Sequence, residues 1–196
     1  MENLVTITIN GKTAQVPSNY TIMQAADEMG ISIPRLCFLK DINENASCRV
    51  CVVEIAGMRS LKNSCSVEVG SILNREGTAT IYTNSKRVRS SVRQTLELIA
   101  ANHRFDCWKC PREHNCELLA LLRRFSIDNK MAESGEFAKK LPIINESDAI
   151  VFDSSKCVLC GRCIAACEKL SGTGVLNFNE RGFVTCVGLS LIHISE

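Results

Sequence analysis

Apolar and polar positions alternate over residues 4–9 (Leu-Val-Thr-Ile-Thr-Ile) with β-branched side chains, which predicts a strand. Asn10-Gly11 then supplies a tight turn, and Lys12 to Val16 returns as the second arm of a hairpin. A helical period follows over about 21–29, with Ile22, Ala25, Ala26 and Met29 on one face. Ser18 or Asn19 is its expected cap and Gly30 its stop. Pro34 excludes further helix, and a long loop opens at Cys37. Strands are expected over 49–55, 65–69 and 79–83. Hairpin, helix and further strands in this order describe a small sheet wrapped on one helix, the β-grasp arrangement.

Beyond Ser85, a plausible N-cap, a helix is predicted over 86–103 with the stripe Val88, Val92, Leu96, Ile99 and then His103. Lys86, Arg87, Arg89 and Arg93 crowd its first turns, either as a solvated face or as a docking patch for an acidic partner. Asn115 is expected to cap a helix over 116–124 that buries Leu118, Leu122 and Phe125. Residues 128–149 read as a linker, polar over 128–140. A short strand from Ile150, a helix ending near Gly172 and a hairpin around Asn179 to Gly182 complete the pattern. The domain reading is 1–83, 84–127, the 128–149 linker, 150–188, and a tail over 189–196.

Composition changes this picture in one respect. Twelve of 196 residues are cysteine, whereas the net charge is only +2 and offers no electrostatic case for nucleic acid. No basic start precedes a long apolar stretch at the N-terminus, and no apolar run approaches the roughly 18 residues of a membrane span. The expectation is a cytoplasmic chain whose thiols stay reduced for metal or catalysis. An aromatic content of 5% suits small units in which bound metal supplies folding free energy.

The cysteines fall into three sets. Cys37, Cys48, Cys51 and Cys65 offer four thiolates, suited to a [2Fe–2S] cluster or a structural zinc; the long first loop on a β-grasp sheet favours the cluster. His103, Cys107, Cys110 and Cys116 offer three thiolates and an imidazole, a set that zinc also takes. His103 could instead be a core histidine, and His114 is a rival ligand; the helical stripe favours His103. Cys157, Cys160, Cys163 and Cys167 follow the bacterial ferredoxin spacing, lacking only the proline after the last cysteine. In two-cluster ferredoxins the fourth cysteine of such a run serves the other cluster, so a second run is expected downstream. Cys186 stands alone and reads as an inert buried thiol.

Several strings sharpen the reading: Ile33-Pro34-Arg35-Leu36-Cys37, Cys48-Arg49-Val50-Cys51-Val52-Val53-Glu54, Ala101-Asn102-His103, Asn115-Cys116-Glu117-Leu118 and Lys156-Cys157-Val158-Leu159-Cys160-Gly161-Arg162-Cys163. In this order they resemble the N-terminal electron-transfer region of [FeFe]-hydrogenases, especially the catalytic subunit of NAD(P)-linked multimeric ones. Related modules open the large iron–sulfur subunit of respiratory complex I and some formate dehydrogenases, and occur in diaphorase small subunits of hydrogenases. The resemblance covers about 3–188. It implies an α+β chain: a β-grasp [2Fe–2S] ferredoxin domain, a small helical [4Fe–4S] domain ligated by one histidine and three cysteines, and a truncated ferredoxin-like [4Fe–4S] domain.

By the same resemblance Cys37, Cys48, Cys51 and Cys65 hold the [2Fe–2S] cluster. His103, Cys107, Cys110 and Cys116 hold a [4Fe–4S] cluster, Cys157, Cys160 and Cys163 part of another, and Cys167 part of a further one. Two further [4Fe–4S] clusters thus belong to the full-length parent. Cys167 moves weight to the hydrogenase, because the complex I subunit lacks a cysteine there. Ala46 and His114 depart from the pattern, standing where glycine is usual. The implied partners are flavin- and NAD(P)-binding diaphorase subunits or ferredoxin in a hetero-oligomer, with the hydrogen-activating site outside these residues. A zinc-stabilised interaction module is the alternative of another class. The last eight residues, Leu189 to Glu196, match one reading-frame translation of a transposase adapter used in sequencing libraries, and are read as a non-native tail.

Overall fold

A computed structural model describes residues 3–127, 143–147 and 150–190. The chain divides into two compact units, one of residues 1–38 and 44–95, the other of 39–43 and 96–196.

In the first unit the alternating arms form β1 (Leu4–Ile9) and β2 (Lys12–Pro17), paired antiparallel with Ile9 opposite Lys12. The turn puts Asn10 and Gly11 both at positive φ, as a two-residue hairpin of this twist requires. Helix α1 (Ile22–Glu28) begins at Thr21, not at Ser18 or Asn19. Thr21 accepts from the Gln24 amide while the Gln24 side chain accepts from the Thr21 amide, and this reciprocal box outcompetes the upstream residues. Strands β3 (Val52–Ile55), β4 (Lys62–Asn63) and β5 (Thr78–Tyr82) complete a five-stranded sheet in the order β2-β1-β5-β3-β4. β1 and β5 run parallel; the other neighbours are antiparallel.

Two strand expectations are corrected. The segment 49–51 is a turn with Arg49 at φ 57°, so β3 starts only at Val52. The segment 65–69 is no regular strand: only Glu68 bridges to Thr21, and a 3-10 turn follows over Val69–Ile72. Here the cysteine loops take the backbone that propensity alone assigns to strands.

One face of the sheet closes on α1. Val5, Ile7 and Ile9 of β1, Ala79 and Ile81 of β5, and Ile22, Met23, Ala25 and Ala26 of α1 share one buried cluster that also includes Cys51 and Cys65. Ile81 is fully buried at the centre of this sheet, so Ile81→Ala is expected to cost about 2–5 kcal/mol by lost transfer and residual cavity. Chemical denaturation of the chain, read by circular dichroism, checks it.

Helix α2 (Lys86–Ala101) starts as expected, with Ser85 Oγ accepting from the Val88 amide at 3.2 Å. The boundary between the two units falls inside it, between Thr95 and Leu96. Its buried stripe is Val88, Val92, Leu96 and Ala100, strict four-residue steps, while Ile99 is only half-buried. The helix ends at Ala101, and His103 lies past its end, its amide donating to the Ala100 carbonyl at 3.0 Å. Of the basic residues in its first turns, Arg87 donates to the Arg59 carbonyl and faces Glu54 at 3.7 Å, while Lys86, Arg89 and Arg93 are exposed.

The second unit carries α3 (Glu117–Arg124), capped by Cys116 and not by Asn115. Leu118 and Leu122 are buried as expected, but Phe125 is half-buried and Ile127 takes the buried place. Strand β6 (Ile143–Ser147) lies within the stretch read as linker and pairs with β7 (Ile150–Asp153); 128–142 and 148–149 lie outside the described residues. Helix α4 (Arg162–Lys169) is shorter than expected, ending before Gly172. The hairpin β8 (Leu176–Asn179) and β9 (Cys186–Leu189) has a longer connection, with a 3-10 turn over Gly182–Val184. Leu189 pairs with Leu176, and the Ser190 amide donates to the Val175 carbonyl at 2.7 Å. The remainder of the tail read as non-native, 191–196, lies outside the described residues. No helix among the described residues is long and apolar enough to cross a membrane.

Candidate iron–sulfur sites

In the first unit Cys37, Cys51 and Cys65 are almost fully buried, and Cys48 is half-buried. The Cys51 and Cys65 sulfurs lie 3.4 Å apart. The intervening chain is locked by Ser64, whose amide and hydroxyl both donate to the Cys51 carbonyl, at 3.1 and 2.8 Å. Cys37 is drawn down to about 5, chiefly by a hydrogen bond from the Cys48 thiol, with the backbone amides of Cys48 and Ser47 adding to it. Cys51 is drawn down to about 6, chiefly by its hydrogen bond with Cys65, whereas Cys48 and Cys65 are pushed up by the same hydrogen bonds and by burial. One thiol of each pair is thus favoured as the thiolate, the form that binds a metal.

The loop that brings them together bends through three left-handed residues, Asp41 (φ 62°), Ala46 (φ 52°) and Arg49 (φ 57°). That explains why glycine suits position 46: an alanine there carries roughly 1 kcal/mol of backbone strain. His114, the other departure, has no positive φ and makes no such demand.

In the second unit one pocket is lined by His103, Cys107, Cys110 and Cys116, together with Phe105, Glu113, Leu118 and Leu119. His114 is not among its lining residues. Two 3-10 turns, Cys107–Lys109 and Glu113–Asn115, fold the cysteine loop back on itself. Cys116 Sγ accepts from the Leu119 amide at 3.4 Å, so the first turn of α3 points backbone N–H at the sulfur. The His103 ring packs on Phe105, with centroids 4.8 Å apart, and its Nδ1 lies 3.4 Å from the Ser155 carbonyl. Burial pushes the Cys107 thiol up, with the neighbouring cysteines adding.

Also in the second unit, the Leu159 amide donates to Cys157 Sγ at 3.4 Å. Leu159 (φ 54°) and Gly161 (φ 74°) are left-handed on either side of Cys160. Alternation of this kind suits a nest, in which successive amides face one anionic sulfur; here the Leu159 amide does so. Cys163 and Cys167 lie one turn apart on α4. Cys167 is drawn down to about 7, first by the Thr173 hydroxyl 3.2 Å away, while burial pushes Cys163 up. Cys186 lies in β9 and is half-buried, less buried than expected. Side chains that spacing could not reveal support this turn: Asp153 Oδ1 accepts from the Ser155 amide and hydroxyl, and Arg162 pairs with Glu117 at 2.8 Å.

Among the described residues no three Cys, His, Asp or Glu side chains close tightly enough on one point for a single ion. The thiol content, N–H···S contacts and nest fit iron–sulfur clusters.

Residues 2–73 match the 2Fe-2S iron-sulfur cluster binding domain, 93–130 the NADH-ubiquinone oxidoreductase-G iron-sulfur binding region, and 150–169 the 4Fe-4S binding domain. Over 190 residues, 94% of the chain, it is 40% identical to NADP-reducing hydrogenase subunit HndD of Solidesulfovibrio fructosivorans, covering 31% of that protein. It is 32% identical to iron hydrogenase 1 of Clostridium pasteurianum over 93% of the chain and 31% of the relative. A subunit of the NADH-quinone oxidoreductase of Streptomyces coelicolor is 30% identical over 95% of the chain and 22% of the relative. The chain thus spans a third or less of the length of these relatives. A crystal structure of an NAD+-reducing [NiFe]-hydrogenase in the H2-reduced state shares the fold, with a TM-score of 0.80 at 24% identity over 95% of this chain and 75% of that one. A 2Fe–2S domain followed by 4Fe–4S binding regions, the chain is related to the N-terminal iron–sulfur region of NADP-reducing hydrogenase, iron hydrogenase and the corresponding subunit of complex I.

Proposed function

We propose that this chain is an electron-transfer segment of an NAD(P)-linked hydrogenase, acting in a hetero-oligomer between a flavin-bearing diaphorase subunit or ferredoxin and a hydrogen-activating site. The observation that carries it is the sequence of three cysteine constellations, each with sulfur held by buried thiol pairs or by backbone amides. When bound, iron–sulfur clusters supply reversible one-electron chemistry, and the surrounding protein sets their potential through ligand identity, hydrogen bonding and burial.

In this reading Cys37, Cys48, Cys51 and Cys65 hold a [2Fe–2S] cluster. His103, Cys107, Cys110 and Cys116 hold a [4Fe–4S] cluster, with the His103 Nδ1 proton donated to the Ser155 carbonyl so that Nε2 is the ligating atom. Cys157, Cys160 and Cys163 give three ligands to another, and Cys167 one to a further cluster. The Arg35 guanidinium, fixed on both oxygens of Asp27 at 2.8 and 2.5 Å and lying 5.7 Å from the Phe38 ring centroid, places a cation on the loop that presents Cys37.

An EPR-monitored redox titration of the anaerobically reconstituted chain tests the function. At least two independent, reversible one-electron signals are expected. Iron that neither takes up nor releases electrons reversibly overturns the electron-transfer reading.

A further inference from the structure

The segment 39–43 lies in sequence between two ligands of the first site, yet it packs within the second unit. It is a closed turn: the Leu39 amide donates to the Asn43 carbonyl at 2.9 Å, the Asn43 amide to the Leu39 carbonyl at 2.7 Å, and Asp41 sits at φ 62°. Asn43 is fully buried, an expensive place for a carboxamide unless it is hydrogen-bonded. Its Nδ2 donates to the Cys160 carbonyl at 2.9 Å. One further hydrogen bond holds the turn, and Gly161 lies close beside it. Lys169 Nζ at the end of α4 donates to the Asp41 carbonyl at 3.4 Å, and a Cβ on Gly161 would lie 3.9 Å from Asn43 Nδ2 and 3.5 Å from the Phe178 ring.

The peptide bond is planar and trans, so a carbonyl fixed by Asn43 turns the Gly161 N–H to the opposite side of the same peptide group. That peptide has left-handed Leu159 before it and left-handed Gly161 after it, a setting in which glycine lets the plane rotate at little steric cost. The neighbouring Leu159 amide already faces Cys157 Sγ, so the direction of each amide in this turn decides how many reach sulfur.

We propose that Asn43 is a positioning residue for the Cys157-Cys160-Cys163 site: supplied by the Cys37–Cys48 loop, its carboxamide locks the 160–161 peptide in the orientation that the nest requires. The 39–43 turn and the 157–163 loop are thereby tied within the second unit, so that loosening the turn loosens the third site. The role assigned toward a cluster rests on the iron–sulfur reading above; the lock itself does not.

Asn43→Asp keeps the shape and removes the donor, and Lys169→Ala removes the second tie from an exposed position. Hydrogen exchange on the full metal-free chain is expected to quicken roughly fivefold in both 37–44 and 157–164 for Asn43→Asp, the size of one lost hydrogen bond. Peptides 4–17 and 86–95 stay unchanged, and Lys169→Ala acts on the same two segments to a smaller extent. After anaerobic reconstitution, Asn43→Asp alters the EPR signature of the site at 157–163 and leaves the [2Fe–2S] signal as it was. Quickening confined to 37–44, or an unaltered signature at a site that does load, overturns the lock. Should Asn43→Asp unfold the chain, Lys169→Ala decides by the same two segments, no change in 157–164 overturning the proposal. If no variant, wild type included, takes up iron and sulfide, the cluster reading fails while the exchange result still decides the role of Asn43.

Discussion

Replacing Cys48 with alanine is expected to abolish the [2Fe–2S] signal and to lower the iron content by about two atoms per chain, leaving the histidine-ligated cluster intact. Cys48 is hydrogen-bonded to Cys37, and the second pair, Cys51 and Cys65, lies on separate turns of the chain. Removing one thiol therefore leaves three sulfurs for two irons that require four protein ligands. The other two sets draw on no residue of this loop's four cysteines, so their visible absorption and EPR should persist. Loss of all signals together would show that the sites do not load as separate modules. EPR at graded temperature, with iron and sulfide analysis on the same sample, reads both outcomes.

Exchanging His103 for cysteine is expected to keep a [4Fe–4S] cluster but lower its midpoint potential, by on the order of 100 mV. A thiolate adds a negative charge where neutral imidazole stood, and histidine ligation is known to raise cluster potentials in this way. His103 lines the pocket with Cys107, Cys110 and Cys116, whereas His114 does not, so His114→Cys is the control and should leave the potential unchanged. A shift with His114→Cys and none with His103→Cys would reverse the assignment. The Ser155 carbonyl adds a second expectation: the swap also frees the acceptor that His103 Nδ1 faces.

Much of this was legible in the chain because its strongest features are local. Alternation in 4–9, the Asn10-Gly11 turn and the Ser85 cap depend on neighbours in sequence, and each appears in the structure where expected. What failed was set by contacts beyond the local window. Residues 65–69 have strand propensity, but Cys65 is committed to a sulfur pair with Cys51, so the backbone turns there instead. The α2 stripe read through Ile99 pointed the helix to His103; the structure buries Ala100, and His103 comes after the helix ends.

Cys116 capping α3 was invisible for a different reason: cap preference scales favour Asn115, whereas here the sulfur accepts the Leu119 amide. The Asn43 link to Cys160 spans 117 positions and carries no spacing signature at all. Cysteine spacing thus nominates candidate ligands, but not the peptide groups that hold them in place.

Metal analysis asks most directly whether these thiols bind iron and sulfide. Chain purified and reconstituted without oxygen should be brown, absorb broadly in the visible, and contain at least about six iron and six acid-labile sulfide per chain from the first two sites. Colourless protein carrying stoichiometric zinc and no acid-labile sulfide would contradict the account and support the zinc-stabilised interaction module instead.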